Sequence, residues 1–350
     1  MRGFLVLAFL VQAMLWSSGS LRAQDSVQVK KLMARTLQMR GYDPEGAIPL
    51  ADSALRISQA LGYVNGQINS LARLGELYTG ITEYATARTY LDRAMALAQE
   101  AKIEQGVAAK NYHYASLYRI TEEFLMALEH YQKGYEIYES LNHQEGMAAG
   151  RANLAIMYKV QGDTAAALQS YRQALLLNKE LNKVRGEVST LVNISIIFLE
   201  HHKLDSALYY QERALKLTQD HQYPKHEALV LNTRASTLRK MKRYEEALAD
   251  LEKAEPVFRA SNDRYRLAVS GLKFGNLYED IGKRRLAVQR LEEAEQIARE
   301  IGVREIEQAV LQGLERIHRD AGRYESAYRA SQRMHVLKDS MQMNKMRRSL

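Results

Sequence analysis

One alanine recurs every 40 residues along almost the whole chain. It stands at eight positions with no insertion or deletion between them: Ala47, Ala87, Ala127, Ala167, Ala207, Ala247, Ala287 and Ala327. A fixed period of about 20 to 50 residues is typical of repeat architectures, in which each unit buries its apolar face against the next. The 350 residues are therefore not expected to form two or three ordinary globular domains.

Other positions keep the same period. Seven residues after the alanine, most repeats have a second small residue, at Ala54, Ala94, Gly134, Ala174, Ala214, Ala254 and Ala294. Nine residues before it stands an aromatic or apolar residue, at Tyr78, Tyr118, Tyr158, Phe198, Leu238 and Tyr278. Three residues earlier comes another small one, at Gly75, Ala115, Ala155, Ser195, Ala235 and Gly275. We expect two helices to cross closely at the small residues, because larger side chains would push their axes apart.

The pattern of each repeat predicts two helices joined by a turn. In the fourth repeat, a helical pattern runs from Glu145 to Tyr158, a turn follows at 161–163, and a second helix runs from about Thr164 to Leu181. The chain has only 4 prolines and no cysteine and is rich in helix-forming residues, which indicates an all-α fold held by packing alone. Since no hairpin can bury its apolar stripe by itself, the hairpins must stack as a solenoid.

The order of small, aromatic, small, bulky and small residues, as in Gly75, Tyr78, Ala87, Leu91 and Ala94, resembles the tetratricopeptide repeat (TPR). The usual unit has about 34 residues, so these 40-residue repeats resemble an extended subclass that includes kinesin light chains and bacterial signalling proteins. The resemblance implies a right-handed α-solenoid of about eight helix hairpins. We assign it to residues 24–344, and residues 345–350 to the start of a C-terminal extension or linker.

The first 23 residues have the order of a secretory signal peptide. Arg2 precedes a 13-residue apolar run, Phe4–Trp16, and a short polar stretch leads to Ala23. The run is shorter than the about 20 residues that a membrane-spanning helix needs. We therefore expect residues 1–23 to be a cleaved leader, and the mature protein to be periplasmic or otherwise extracytoplasmic.

No catalytic or cofactor motif is found in the sequence. It lacks a phosphate-binding Gly-x-x-x-x-Gly-Lys motif, a His-Glu-x-x-His motif and any cysteine ligand. The adjacent His201 and His202 point in different directions on a helix, which does not favour a metal site. We predict no catalytic residue, cofactor or metal, and an enzyme only if a kinase domain follows residue 350.

The positive charge is concentrated in the second half of the chain. Residues 221–350 contain 26 Lys and Arg against 19 Asp and Glu. Nucleic-acid binding would need these residues to line one continuous surface, and export also argues against it, so no nucleic acid is expected as a partner. A basic edge facing anionic lipid or an acidic partner stays open, although solvated turns explain the charges more simply.

The resemblance also implies a binding surface. In TPR proteins the first helix of each pair lines a concave groove that holds a peptide or a partner's helix. Carried over position by position, the groove residues are Arg73, Tyr112, His113, Arg119, Asn153, Lys159, Asn193, Lys273 and Asn276. Asn153 and Asn193 stand where kinesin-light-chain-like repeats hold a peptide backbone, because an amide can both donate and accept. The alternative is that they are merely polar residues on an exposed face.

Two functions follow. In the first, the chain is an exported, non-catalytic scaffold that binds a peptide or a partner protein. In the second, it is the extracytoplasmic input region of a two-component histidine kinase or a helix-turn-helix regulator, truncated before its membrane helix. The stretch 337–341 resembles the exit from such sensor regions, and contact with a membrane would then come through the span that follows. The sequence leaves the oligomeric state and the identity of the partner open.

Overall fold

The structure, a computed structural model, describes residues 26–40 and 43–349, with side chains to residue 339. The predicted leader, residues 1–23, lies outside these ranges. The described residues form sixteen α-helices and contain no β-strand, which confirms the all-α prediction. They divide into two compact units, with the boundary between Gly150 and Arg151.

A new helix begins every 20 residues. Helix α1 covers 26–39, and each of the next fourteen has 17 residues. Their bounds are α2 Pro44–Ala60, α3 Val64–Gly80, α4 Tyr84–Glu100, α5 Glu104–Ile120, α6 Phe124–Ser140, α7 Gln144–Val160, α8 Thr164–Glu180, α9 Val184–Glu200, α10 Leu204–Asp220, α11 Pro224–Lys240, α12 Tyr244–Ala260, α13 Arg264–Asp280, α14 Arg284–Glu300 and α15 Arg304–Asp320. The last helix, α16, runs from Tyr324 to Ser349 and passes residue 344 without a break. The two helices predicted in the fourth repeat are α7 and α8.

Each helix from α2 to α15 ends with the same backbone conformation at its C-terminus. A residue with positive φ follows the helix, and the next backbone N–H bonds back to the carbonyl five residues earlier, as from Asp163 to Tyr158 at 2.9 Å. This is the Schellman motif, which satisfies carbonyl groups left free at a helix end. The positive-φ residues are Gly62, Thr82, Lys102, Glu122, Asn142, Gly162, Asn182, His202, Gln222, Lys242, Asn262, Gly282, Gly302 and Gly322. Only five are glycines, so most turns are invisible to a search for glycine.

The recurring small residues lie where the helices of a pair cross, as predicted. Ala47 and its equivalents up to Ala287 are fully buried. At Gly75 in α3, an added Cβ would lie 2.7 Å from Leu91 Cδ2 in α4, and Gly275 meets Leu291 in the same way at 2.5 Å. Atoms that close must shift, so a Cβ at either glycine would displace the leucine that packs on it.

The first helices of the hairpins form one face in each unit. Besides the contacts within the hairpins, α3 packs against α5 in the first unit, and α9, α11, α13 and α15 pack in succession in the second. We call this surface the first-helix face. It is the face that the sequence assigned to binding. None of the helices that the structure describes is long and apolar enough to cross a bilayer.

Candidate ligand-binding surface

Two predicted residues meet in the first unit. His113 Nδ1 on α5 lies 2.9 Å from Glu76 Oε1 on α3, and Arg73, one turn before Glu76, forms an ion pair with the same carboxylate. Arg40 Nη1 also approaches Glu76 Oε2 at 3.3 Å. Glu76 is therefore the centre of a charged cluster that joins adjacent hairpins.

The surroundings of Glu76 stabilise its charged form. Burial by itself would raise the pKa of Glu76, but the hydrogen bond with His113 and the positive charges around it outweigh burial and lower the pKa to about 2. Burial lowers the pKa of His113, against the opposing effect of its bond to Glu76. The carboxylate thus stays ionised at neutral pH.

Lys110 lies on α5 beside this cluster and is 1% exposed. The described residues provide it with no hydrogen bond and no ion pair within 4.0 Å. Burial lowers the pKa of Lys110 to about 8, with Glu76 acting in the opposite direction. At equivalent positions the other first helices from α3 onwards hold small or apolar buried residues, whereas α1 holds the exposed Lys30. The buried residues are Ser70, Gly150, Thr190, Val230, Ser270 and Val310. Since an unpaired buried ammonium costs free energy, Lys110 is unusual for its place in the fold.

A cavity of about 280 Å³ opens next to these residues, between α1, α3 and α5. Arg73, Lys110 and His113 line it together with Glu76, and Lys30 stands exposed on α1. The Nε of Arg73 is buried without a hydrogen-bond acceptor in the described structure. The cavity therefore has more positive than negative charge, and two of its cations have unused donors.

Tyr112 is half-buried, and its ring packs between helices. Its ring packs against Tyr131 and Tyr138, with centroids 5.9 and 5.3 Å away, and its hydroxyl donates to the carbonyl of Gly146 at 3.1 Å. An added Cβ on Gly150 would lie 2.0 Å from that hydroxyl, so the missing side chain makes room for the ring. Tyr112 thus holds α5, α6 and the start of α7 together. Arg119, near the end of α5, lies beside Tyr131 and counteracts the rise in the pKa of Tyr131 that burial causes.

Asn153 and Asn193 occupy equivalent positions on α7 and α9 in the second unit. Both side chains are partly exposed, and neither makes a hydrogen bond to any residue of the described ranges. Their amides are therefore available to a ligand. Lys159, in contrast, is held by Glu200 at 2.7 Å, where α7 and α9 end.

Lys273 and Asn276 lie one turn apart on α13. Lys273 Nζ donates to the carbonyl of Asn232 at 2.5 Å, and burial lowers the pKa of Lys273 to about 8. Asn276 borders a polar cavity of about 470 Å³ in the second unit. The cavity is flanked by the pair Arg239–Asp280, 3.1 Å apart, and by Arg316, whose Nε lies 2.8 Å from Glu279 Oε1. Lys273 therefore already uses its ammonium group in a hydrogen bond within the fold, whereas the side chain of Asn276 borders the cavity.

The sequence did not point to Glu76, Lys110 or Arg316. Alignment of the repeats at their 40-residue period contains a signal for one of them, because only Lys110 and Lys30 are charged at a position that is otherwise small or apolar. The role of Glu76 has no such signal. Two of its three partners, Arg40 and His113, lie outside α3, and only the packing of successive helices brings them to Glu76.

A family model described as tetratricopeptide repeat matches residues 147–220 and 226–300. No curated protein sequence matches the chain.

Solved structures match it over most of its length. The apo quorum sensor NprR from B. thuringiensis is 18% identical with a TM-score of 0.65, covering 91% of this chain and 88% of that one. The Rap conjugation gene regulator of plasmid pLS20, solved with the Phr* peptide, is 14% identical with a TM-score of 0.64, covering 82% and 77%. A Rap protein complexed with competence and sporulation factor is 14% identical with a TM-score of 0.59, covering 92% and 99%. At these identities the likeness establishes the fold alone.

Proposed function

Because this chain is a tetratricopeptide-repeat protein, we propose that it is a non-catalytic scaffold that binds a peptide or a partner protein on its first-helix face. One observation carries the proposal. Asn153 and Asn193 repeat at the same place on successive first helices, and neither side chain is used within the described structure. An amide both donates and accepts, which suits it to the alternating N–H and C=O groups of an extended peptide. The peptide complex of the Rap regulator, which has a similar fold, supports this ligand class.

A peptide selected from a random display library on the full chain provides the test. We expect the double variant Asn153→Ala/Asn193→Ala to bind this peptide about tenfold or more weakly, since each lost hydrogen bond contributes about 1 kcal/mol. Its unfolding temperature should be unchanged.

Gln173 on α8 is the matched control, because it is an exposed amide on a second helix. Gln173→Ala should leave the affinity as it is. Equal affinity of the double variant and the native protein would reject the asparagine assignment, and failure to select any peptide would count against a peptide ligand.

We also propose that the protein is exported, because Arg2 and the apolar run Phe4–Trp16 have the order of a signal peptide. The intact mass of the natural protein, recovered from the cell envelope, tests this. A mass below 39.9 kDa by the mass of the leader supports an exported scaffold. The full 39.9 kDa would reject cleavage.

A second candidate is the input region of a membrane-bound histidine kinase or helix-turn-helix regulator. The length of α16 favours it, because this helix has 26 residues against 17 in α15, and a longer helix could transmit a change in the repeats along its axis. The same mass measurement distinguishes the two candidates, since this one requires a natural protein far heavier than 39.9 kDa.

A further inference from the structure

The cavity between α1, α3 and α5 contains a buried positive charge that the fold does not explain. Lys110 is buried and has no partner among the described residues, at a position where the other buried members are small or apolar. Replacing such a lysine by an apolar residue would satisfy packing without burying a charge. A group that costs stability and performs no structural task is a candidate for binding.

We propose that this cavity is a binding site for a small oxyanion, a phosphate-bearing or dicarboxylate compound, held by Lys110 and Arg73. Lys110 offers three donors and Arg73 a buried Nε without an acceptor, and both residues line the cavity. Oxyanions are the acceptors that ammonium and guanidinium groups bind most strongly.

The charges of the lining fit a dianion. Lys30, Arg73 and Lys110 supply three positive charges, while Glu76 supplies one negative charge and already faces Arg73, Arg40 and His113. Because Glu76 is paired, it leaves Lys110 and the Nε of Arg73 for a ligand.

The size of the cavity limits the ligand. A volume of about 280 Å³ corresponds to roughly nine water molecules at about 30 Å³ each, which suits a small metabolite rather than a helix or a folded domain. This site lies in the first unit and the asparagines Asn153 and Asn193 in the second, so the two binding activities can fail independently.

Calorimetric titration of the full chain with sodium phosphate and with succinate, at constant ionic strength, tests the proposal. We expect a dissociation constant of about 1 mM or below for at least one of them. Lys110→Met, which nearly conserves volume, should weaken binding about tenfold or more, because a hydrogen bond to a charged group is lost.

Lys133 on α6 is exposed and provides the matched control. Lys133→Met should bind like the native protein, and an equal loss in both variants would mean non-specific attraction and overturn the proposal. Arg73→Lys, which keeps the charge and removes Nε, gives an independent readout and should also weaken binding.

The pH dependence identifies the lysine. Lys110 is faced by Arg73 and Glu76 from α3, by His113 on its own helix and by Lys30 from α1. Since Lys110 loses its proton around pH 8 and succinate stays fully ionised, affinity for succinate should fall about tenfold between pH 7 and pH 9. The proposal would be overturned if neither phosphate nor succinate bound, or if the affinity for succinate did not change with pH. It would also be overturned if the cavity bound an anionic group only when that group belonged to the selected peptide.

Discussion

His113 Nδ1 lies 2.9 Å from Glu76 Oε1, and this contact joins the first helices of two successive hairpins. The two residues are 37 positions apart, close to one repeat period. The same cross-repeat spacing joins Arg316 to Glu279 in the second unit. Polar pairs of this kind couple neighbouring repeats on the face to which we assign binding, so stability and ligand recognition share side chains there.

Glu76→Gln should destabilise the protein at pH 7. The folded pKa of Glu76 is about 2 against an ordinary 4.5, so its charge contributes at most about 3 kcal/mol. Because the folded pKa is depressed, this contribution is complete above pH 4.5 and is lost as the pH falls towards 2. Urea unfolding should show the difference between native protein and variant shrinking by about 1 kcal/mol from pH 7 to pH 3.5. In the control Glu129→Gln, which breaks an exposed pair with Lys133, the loss of stability should be much smaller than in Glu76→Gln, because solvent screens an exposed pair.

Lys110→Met should stabilise the protein while it weakens anion binding. The folded pKa of about 8 lies below the ordinary 10.5, so the unfolded chain binds more protons in between and stability rises with pH from 8 to 10.5. At pH 7 the buried charge costs up to about 3 kcal/mol, and we expect the variant to recover about 1 to 2 kcal/mol. Thermal unfolding of both proteins measures this. A destabilised variant would mean that Lys110 is structural.

Thr82→Gly should stabilise the turn between α3 and α4. Thr82 has a φ of 66°, which crowds a β-branched side chain and costs about 1 to 2 kcal/mol. Gly162 has a φ of 82° with no atom within 4 Å of an added Cβ, so Gly162→Ala should destabilise by about 1 kcal/mol through the backbone alone. Denaturation midpoints that move in the same direction for both variants would contradict this explanation.

Gly75→Ala and Gly80→Ala should have opposite effects although both lie in α3. The Cβ at residue 75 would lie 2.7 Å from Leu91, which costs about 1 to 3 kcal/mol of overpacking. At residue 80 the nearest atom is Pro44 Cβ at 3.8 Å, so the higher helix propensity of alanine should raise stability by about 0.5 kcal/mol. Circular dichroism melts of the two variants provide the comparison, and similar melts would show that the α3–α4 crossing tolerates a methyl group.

The sequence alone determined the repeat, the two helices within it and their points of close contact. Helical periodicity and turn signals depend only on residues near each other in sequence, and the alanine at Ala47 recurs in eight repeats. For these reasons α7, α8 and the turn at Gly162 could be predicted without coordinates. The small residue at Gly75 carries the same information, because a crossing of adjacent helices depends on residues near each other in sequence.

The tertiary structure alone decided which polar residues are free. Tyr112 was expected in the groove, but the space beside Gly150 draws its ring into the packing between helices. Lys273 has the carbonyl of Asn232 as its acceptor, whereas Lys110 has no partner in the described structure. These outcomes depend on contacts between helices one repeat apart, and the free energy of a buried charge is set by that distant neighbour rather than by the local sequence.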